Sequence, residues 1–190
     1  MSEDSLEELK TRRNDKNSGK VDEDEVVARM LKRRGVTSYL VELGGEIAFE
    51  GTNSRGESWV IGVDKPIADP AGVINDFQVR VQLPRTAGGL ATSGNYRNFK
   101  VMNGKKIAHT IDPHTGYPIQ TDVLSATILH PDCYRADALA TAAMALGAER
   151  AEKMLRAIPS VEYLLIVATP QGAKATYEVR RSANFPPDQR

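Results

Sequence analysis

Tyr39-Leu40-Val41-Glu42-Leu43-Gly44-Gly45-Glu46-Ile47-Ala48-Phe49-Glu50 reads as two short strands joined by a glycine pair. The first half is apolar and partly β-branched, and the second alternates. Working outward, Gly51 to Gly56 is a polar loop that turns into a strand over Ser58 to Val63. Val73 to Leu83 then alternates over a long stretch, with Val79, Val81 and Leu83 on one face. These connections are too short for parallel crossovers, so the strands form an antiparallel meander.

Upstream, Val26, Val27, Met30 and Leu31 repeat at helical spacing, and Gly35 can end that helix. Downstream, Gly88 to Gly94 reads as a glycine-rich loop. Tyr96 to Val101 and Lys106 to Ile111 form a hairpin across Asn103-Gly104, the strongest short hairpin signal. Val123 to Leu129 is a further strand. Ala136 to Leu146 is an alanine-rich helix with Asp132 as N-cap and Gly147 at its stop. A second helix runs from Ala148 to Ile158, and strands over Tyr163 to Ala168 and Ala173 to Val179 close the pattern. Many strands with the helices grouped apart predict an α+β fold, antiparallel sheets against a few helices. Residues 1–21 are charged and lack aromatics, which predicts a flexible arm; residues 22–180 form the core and 181–190 a loose tail.

The 190 residues are 41% hydrophobic, enough for one domain with a real core, and the formal net charge is zero. That balance gives no basic field for nucleic acid or anionic membrane. Lys32-Arg33-Arg34 falls at a helix end, where cations suit the dipole. Cys133 is the sole cysteine, so an internal disulfide is excluded, and it reads as a small buried hydrophobe. The sequence has no apolar run long enough to span a bilayer. The start, Met1-Ser2-Glu3-Asp4, lacks a secretory pattern, so a chain with this start is expected to stay in the cytoplasm.

Three segments carry chemistry. Gly88 to Gly94 offers small residues, two hydroxyls and several backbone N–H donors, which suits phosphate oxygens, although a plain turn has the same composition. His109-Thr110-Ile111-Asp112-Pro113-His114-Thr115-Gly116-Tyr117-Pro118 follows a strand and is stiffened by two prolines. His109 at the strand end can accept a proton near neutral pH; a tight turn is the competing reading. Asp137 and Thr141 lie one helical turn apart, so a carboxylate and a hydroxyl can share a hard cation. An exposed helix with an ordinary acid is the alternative, yet Asp is a poor residue for a helix interior.

Taken in order, these strings resemble the flavin transferase family, also called ApbE-like or thiamine biosynthesis lipoprotein-like. The resemblance rests on Tyr39 to Ile47, Trp59 to Val63, Ala91 to Asn98, His109 to Pro118 and Ala136 to Ala142, and covers about residues 25 to 180. It implies an ApbE-like, T-fold-like core and Mg²⁺-dependent transfer of FMN from FAD to a Thr or Ser hydroxyl of a flavoprotein. Asp137 and Thr141 match the metal ligands, and His109 matches the base for the acceptor hydroxyl. Ile111 falls where the backbone contacts FAD. Gly44, Gly45 and Glu46, with Thr92, Ser93 and Gly94, match segments that shape the flavin and phosphate site.

The chemistry is coherent with these residue types: a divalent cation offsets charge on the leaving AMP, and a base activates the alcohol. The match departs from the family in three places. The family carries further sequence before the matched stretch, and Asn17 to Val21 fits poorly where a Lys-Gly segment is usual. Asn95 stands where the family usually has Asp. Family members are often periplasmic or inner-membrane lipoproteins. A shortened core exposes apolar surface, which a homodimer would cover. Two further activities fit the same residues: an FAD- or partner-binding remnant, and an FAD pyrophosphatase releasing FMN and AMP.

Overall fold

The hairpin that begins at Tyr39 is the edge of a six-stranded antiparallel sheet. The computed structural model describes residues 23–65, 77–94, 99–102, 105–108, 116–119, 121–169 and 176–189. Three helices and ten strands lie among the described residues. In chain order they are α1 (Glu23–Arg33), β1 (Tyr39–Leu43), β2 (Glu46–Glu50), β3 (Val60–Asp64), β4 (Phe77–Gln82) and β5 (Gly88–Gly94). There follow β6 (Phe99–Met102), β7 (Lys105–Ala108), β8 (Val123–His130), α2 (Cys133–Leu146), α3 (Ala148–Arg156), β9 (Glu162–Thr169) and β10 (Thr176–Arg181). The large sheet has the order β1-β2-β5-β8-β9-β10, while β3 with β4 and β6 with β7 form separate two-stranded sheets. The α+β class and antiparallel pairing read from the sequence hold, but the meander is interrupted by these two hairpin excursions.

Alternation along the central strands separates two cores. On one face, Val123, Ala126 and Ile128 of β8 and Tyr163, Leu165 and Val167 of β9 pack under α2 and α3. On the other, Ile47, Phe49, Leu90, Leu164 and Ile166 pack against Val63, Val79, Val81 and Leu83 of the β3–β4 sheet. β9 is therefore apolar at nearly every position because both of its faces are covered. Full burial of a Leu or Ile side chain contributes about 1.5–3 kcal/mol, so residues such as Leu155, Leu164, Leu165 and Ile166 account for much of the stability.

The helices end where the sequence says they should. Gly35 has φ 79° and its N–H bonds to the Lys32 carbonyl at 2.9 Å, closing α1. Gly147, also at φ 79°, separates α2 from α3. Capping is supplied differently from expectation. Asp132 occupies the N-cap position of α2 without a side-chain cap bond. Asp122 instead caps α3 from outside the helix, its Oδ1 accepting the Ala148 N–H at 2.9 Å.

Two local readings change. Gly88 to Gly94 is a central strand, not a loop. Its glycines serve packing: a Cβ on Gly89 would lie 2.3 Å from the Cys133 Cα, so a bare backbone lets α2 sit directly on β5. After β10, the segment expected to be loose turns back over β4. Phe185 is buried in the second core, Asp188 bridges to Val81, and the Gln189 N–H bonds to the Arg80 carbonyl at 2.9 Å. The expected arm at residues 1–21 and the Asn103-Gly104 turn lie outside the described residues. No helix among the described residues is long and apolar enough to cross a membrane.

Candidate functional site

The pleat of β5 sends adjacent hydroxyls to opposite faces of the sheet. Thr92 points to the β3–β4 side, where its Oγ1 lies 3.0 Å from Thr127 Oγ1 on β8. Ser93 points to the helix side, where its Oγ lies 3.3 Å from Thr141 Oγ1 on α2. Helix and strand run together. Gly89 touches the start of α2 at Cys133, and Ser93 meets Thr141 eight residues into the helix. Four strand residues and eight helical residues both span roughly 12–14 Å, so the two contacts are in register.

The sequence places α2 on the sheet by its alanines. Ala136, Ala140 and Ala143 with Cys133 and Met144 form the buried stripe. Asp137 and Thr141 follow Ala136 and Ala140 by one residue each, so they flank that stripe; Asp137 is half-buried and Thr141 exposed. The carboxylate and the hydroxyl therefore sit one turn apart along the helix margin, with the Ser93 hydroxyl beside the second. Glu46 belongs to the same face. It pairs in register with Ala91, and Ala48 two residues later packs with Cys133. Gly44 and Gly45 have φ 70° and 100°, the left-handed pair that a two-residue hairpin turn demands. Their position brings Glu46 into β2 at the level of Ala91. Gly94 lies opposite Ser125 on β8.

Asp137, Thr141 and Ser93 are a sparse, oxygen-only donor set. Among the described residues no three His, Cys, Asp or Glu side chains gather in a cluster that would hold a metal ion. Hard cations that keep much of their water shell are the kind such a set could help to hold. His109 and Ile111 lie outside the described residues, as do Asp112 to Thr115. Among the described candidates, then, the structure joins Ser93 to Thr141, sets Asp137 beside them, and turns Thr92 to the opposite face. Sequence reading missed the buried polar pair Ser125 and Thr127, whose signal is a hydroxyl at alternate positions of an apolar strand.

Comparison with known proteins places the chain in a family. The family model for ApbE matches residues 24–165. The chain belongs to the ApbE family. It is 40% identical over 150 residues to the FAD:protein FMN transferase of Vibrio cholerae, covering 79% of this chain and 43% of that protein. It is 36% identical over 130 residues to the FAD:protein FMN transferase of Escherichia coli K12, covering 68% of this chain and 35% of that protein. Among solved structures it resembles the flavin transferase ApbE from Vibrio cholerae with a TM-score of 0.69 at 36% identity, over 85% of this chain and 48% of that one. The ApbE protein from Thermotoga maritima aligns with a TM-score of 0.65 at 29% identity, over 88% of this chain and 52% of that one. This ApbE chain spans less than half the length of the curated relatives it matches.

Proposed function

We propose that this chain supplies the metal- and phosphate-facing part of an FAD:protein FMN transferase, moving FMN from FAD to a Thr or Ser hydroxyl of a flavoprotein. The observation that carries the reading is the Ser93–Thr141 contact at 3.3 Å, one helical turn from Asp137, in a chain of this family. Asp137 and Thr141 would hold Mg²⁺, with Ser93 orienting the Thr141 hydroxyl. Bound there, Mg²⁺ supplies charge neutralisation for the pyrophosphate and the departing AMP.

The chain's own residues do the rest. Gly94 and its neighbours on β5 give FAD phosphates close access to backbone, and the Gly44-Gly45 turn with Glu46 borders the flavin. The Ile111 backbone contributes a further FAD contact. His109 takes the proton of the acceptor hydroxyl as its oxygen attacks the FMN-side phosphorus. The phosphoanhydride bond breaks, and AMP leaves with the bonding pair.

The test incubates the full chain with FAD, Mg²⁺ and a flavoprotein fragment carrying the acceptor hydroxyl, and reads the fragment by mass spectrometry. An FMN adduct that disappears with Asp137→Ala supports the transferase. A competing reading is FAD or partner binding without turnover. FAD fluorescence quenching with no adduct supports that reading instead. Release of free FMN and AMP marks a pyrophosphatase.

A further inference from the structure

We infer that Asp24 and Cys133 form a positioning pair that fixes the first turn of α2, and with it the metal-binding margin of that helix. This rests on the reading that Asp137 and Thr141 bind a divalent cation. Asp24 lies in the first turn of α1 and is fully buried. Its Oδ2 accepts the Cys133 thiol at 2.8 Å, and its Oδ1 has no hydrogen-bond donor among the described residues. The Cys133 thiol also lies 3.3 Å from the Ile47 carbonyl.

A packing role does not account for that carboxylate. Its partner Cys133 belongs to a small, mainly apolar cluster with Ala28, Tyr39 and Ala48, against which Leu31 and Val41 pack. An aliphatic side chain would fill such a place without burying an oxygen that lacks a donor. What the carboxylate adds is direction. A hydrogen bond ties one atom of α1 to the first residue of α2 from one side, the Ile47 carbonyl of β2 lies within reach of the same thiol proton, and Gly89 of β5 abuts the same residue's backbone. Asp137 lies four residues on, one turn along the same side of the helix. A helix pinned at Cys133 by three elements, and met at Thr141 by Ser93, holds Asp137 in place between two fixed points. Groups that orient metal ligands in this indirect way affect affinity more than stability.

The experiment titrates Mn²⁺, a paramagnetic stand-in for Mg²⁺, into the full chain and follows free Mn²⁺ by electron paramagnetic resonance. Thermal unfolding is measured in parallel. Asp24→Leu and Cys133→Ala, which break the hydrogen bond, are expected to weaken Mn²⁺ binding about tenfold. Asp24→Asn and Cys133→Ser, which keep an acceptor and a donor, should restore it to within about threefold of wild type. The double variant Asp24→Leu/Cys133→Ala should be no weaker than either single one, because both remove the same bond. Leu155→Ala, a cavity in α3 remote from α2's first turn, controls for lost stability.

Wild-type affinity in Asp24→Leu overturns the inference, as does a loss matched by Leu155→Ala at equal destabilisation. Mn²⁺ binding abolished by Asp137→Ala but untouched by Asp24→Leu overturns this inference alone. A wild-type chain that binds no Mn²⁺ overturns it together with the metal reading on which it rests.

Discussion

Ser93 Oγ and Thr141 Oγ1 stand 3.3 Å apart, the one on a central strand and the other on the helix that packs over it. The contact crosses the margin of the sheet–helix layer, where Thr141 is exposed and Asp137 half-buried. It distinguishes two kinds of hydroxyl in a four-residue string. Thr92 turns to the core and bonds Thr127, whereas Ser93 turns to the helix side and meets Thr141.

The first prediction separates ligand from orienting partner. Thr141→Val removes the hydroxyl that would bind the cation and should weaken Mn²⁺ binding about tenfold or more, whereas Thr141→Ser should retain most of it. Ser93→Ala removes only a hydrogen bond to that hydroxyl, a net effect of about 0.5–1.5 kcal/mol, so affinity should fall several-fold and not vanish. Equal losses for Ser93→Ala and Thr141→Val would make Ser93 a ligand in its own right.

A second prediction concerns the close approach of α2. Gly89→Ala places a Cβ 2.3 Å from the Cys133 Cα, against backbone that has no flexible end to move. The helix must lift from β5, at an expected cost of about 1–3 kcal/mol by urea denaturation. Because the lift occurs at the start of α2, metal affinity should fall as well. Wild-type stability in Gly89→Ala would show that the helix start can slide without penalty.

These two residues also mark what could and could not be read in the sequence. The Tyr39–Glu50 hairpin was legible because alternation and a Gly-Gly pair point to one local structure, now seen at φ 70° and 100°. The Asp137–Thr141 spacing was legible because helical periodicity alone sets it. Gly88 to Gly94 was misread, since composition cannot distinguish glycine used for a turn from glycine used to admit a helix. Only the position of Cys133, more than forty residues later, decides that. The Ser93–Thr141 and Asp24–Cys133 contacts were hidden for the same reason: each joins residues distant in sequence through the packing of helices on the sheet and on each other. A short terminal segment reads as loose, yet Phe185 supplies the apolar anchor that docks it.

The third prediction is a pH dependence. Burial, followed by the charge of Glu50 and a hydrogen bond to it and by the charge of Glu25, pushes the Tyr39 phenol up to about 12. The unfolded chain releases that proton near pH ~10. Between those values the folded state holds a proton that the unfolded state has lost. The associated stability is present in full below pH ~10 and disappears as the pH rises toward 12. Tyr39→Phe lacks the ionisation, so its melting temperature should decline less steeply than wild type over this window. Melting curves of the two proteins across pH 9 to 12 test it, and parallel declines would count against the shift.

The last prediction contrasts two buried hydroxyls on β8. Ser125 and Thr127 are both fully buried and face the same side of the sheet, yet their partners differ. Thr127 bonds Thr92 at 3.0 Å, while Ser125 Oγ has no partner among the described residues and lies across from Gly94, which has no side chain to offer. A buried hydroxyl without a partner costs about 1–3 kcal/mol, so Ser125→Ala should leave stability unchanged or raise it by up to about 1 kcal/mol. Thr127→Val keeps the shape but strands the half-buried Thr92 hydroxyl, and should lower stability by about 0.5–1.5 kcal/mol. Chemical denaturation of both variants supplies the measurement. If Ser125→Ala proves the more damaging, its hydroxyl is bonded in solution to water or ligand, and the Gly94 gap is where that group sits.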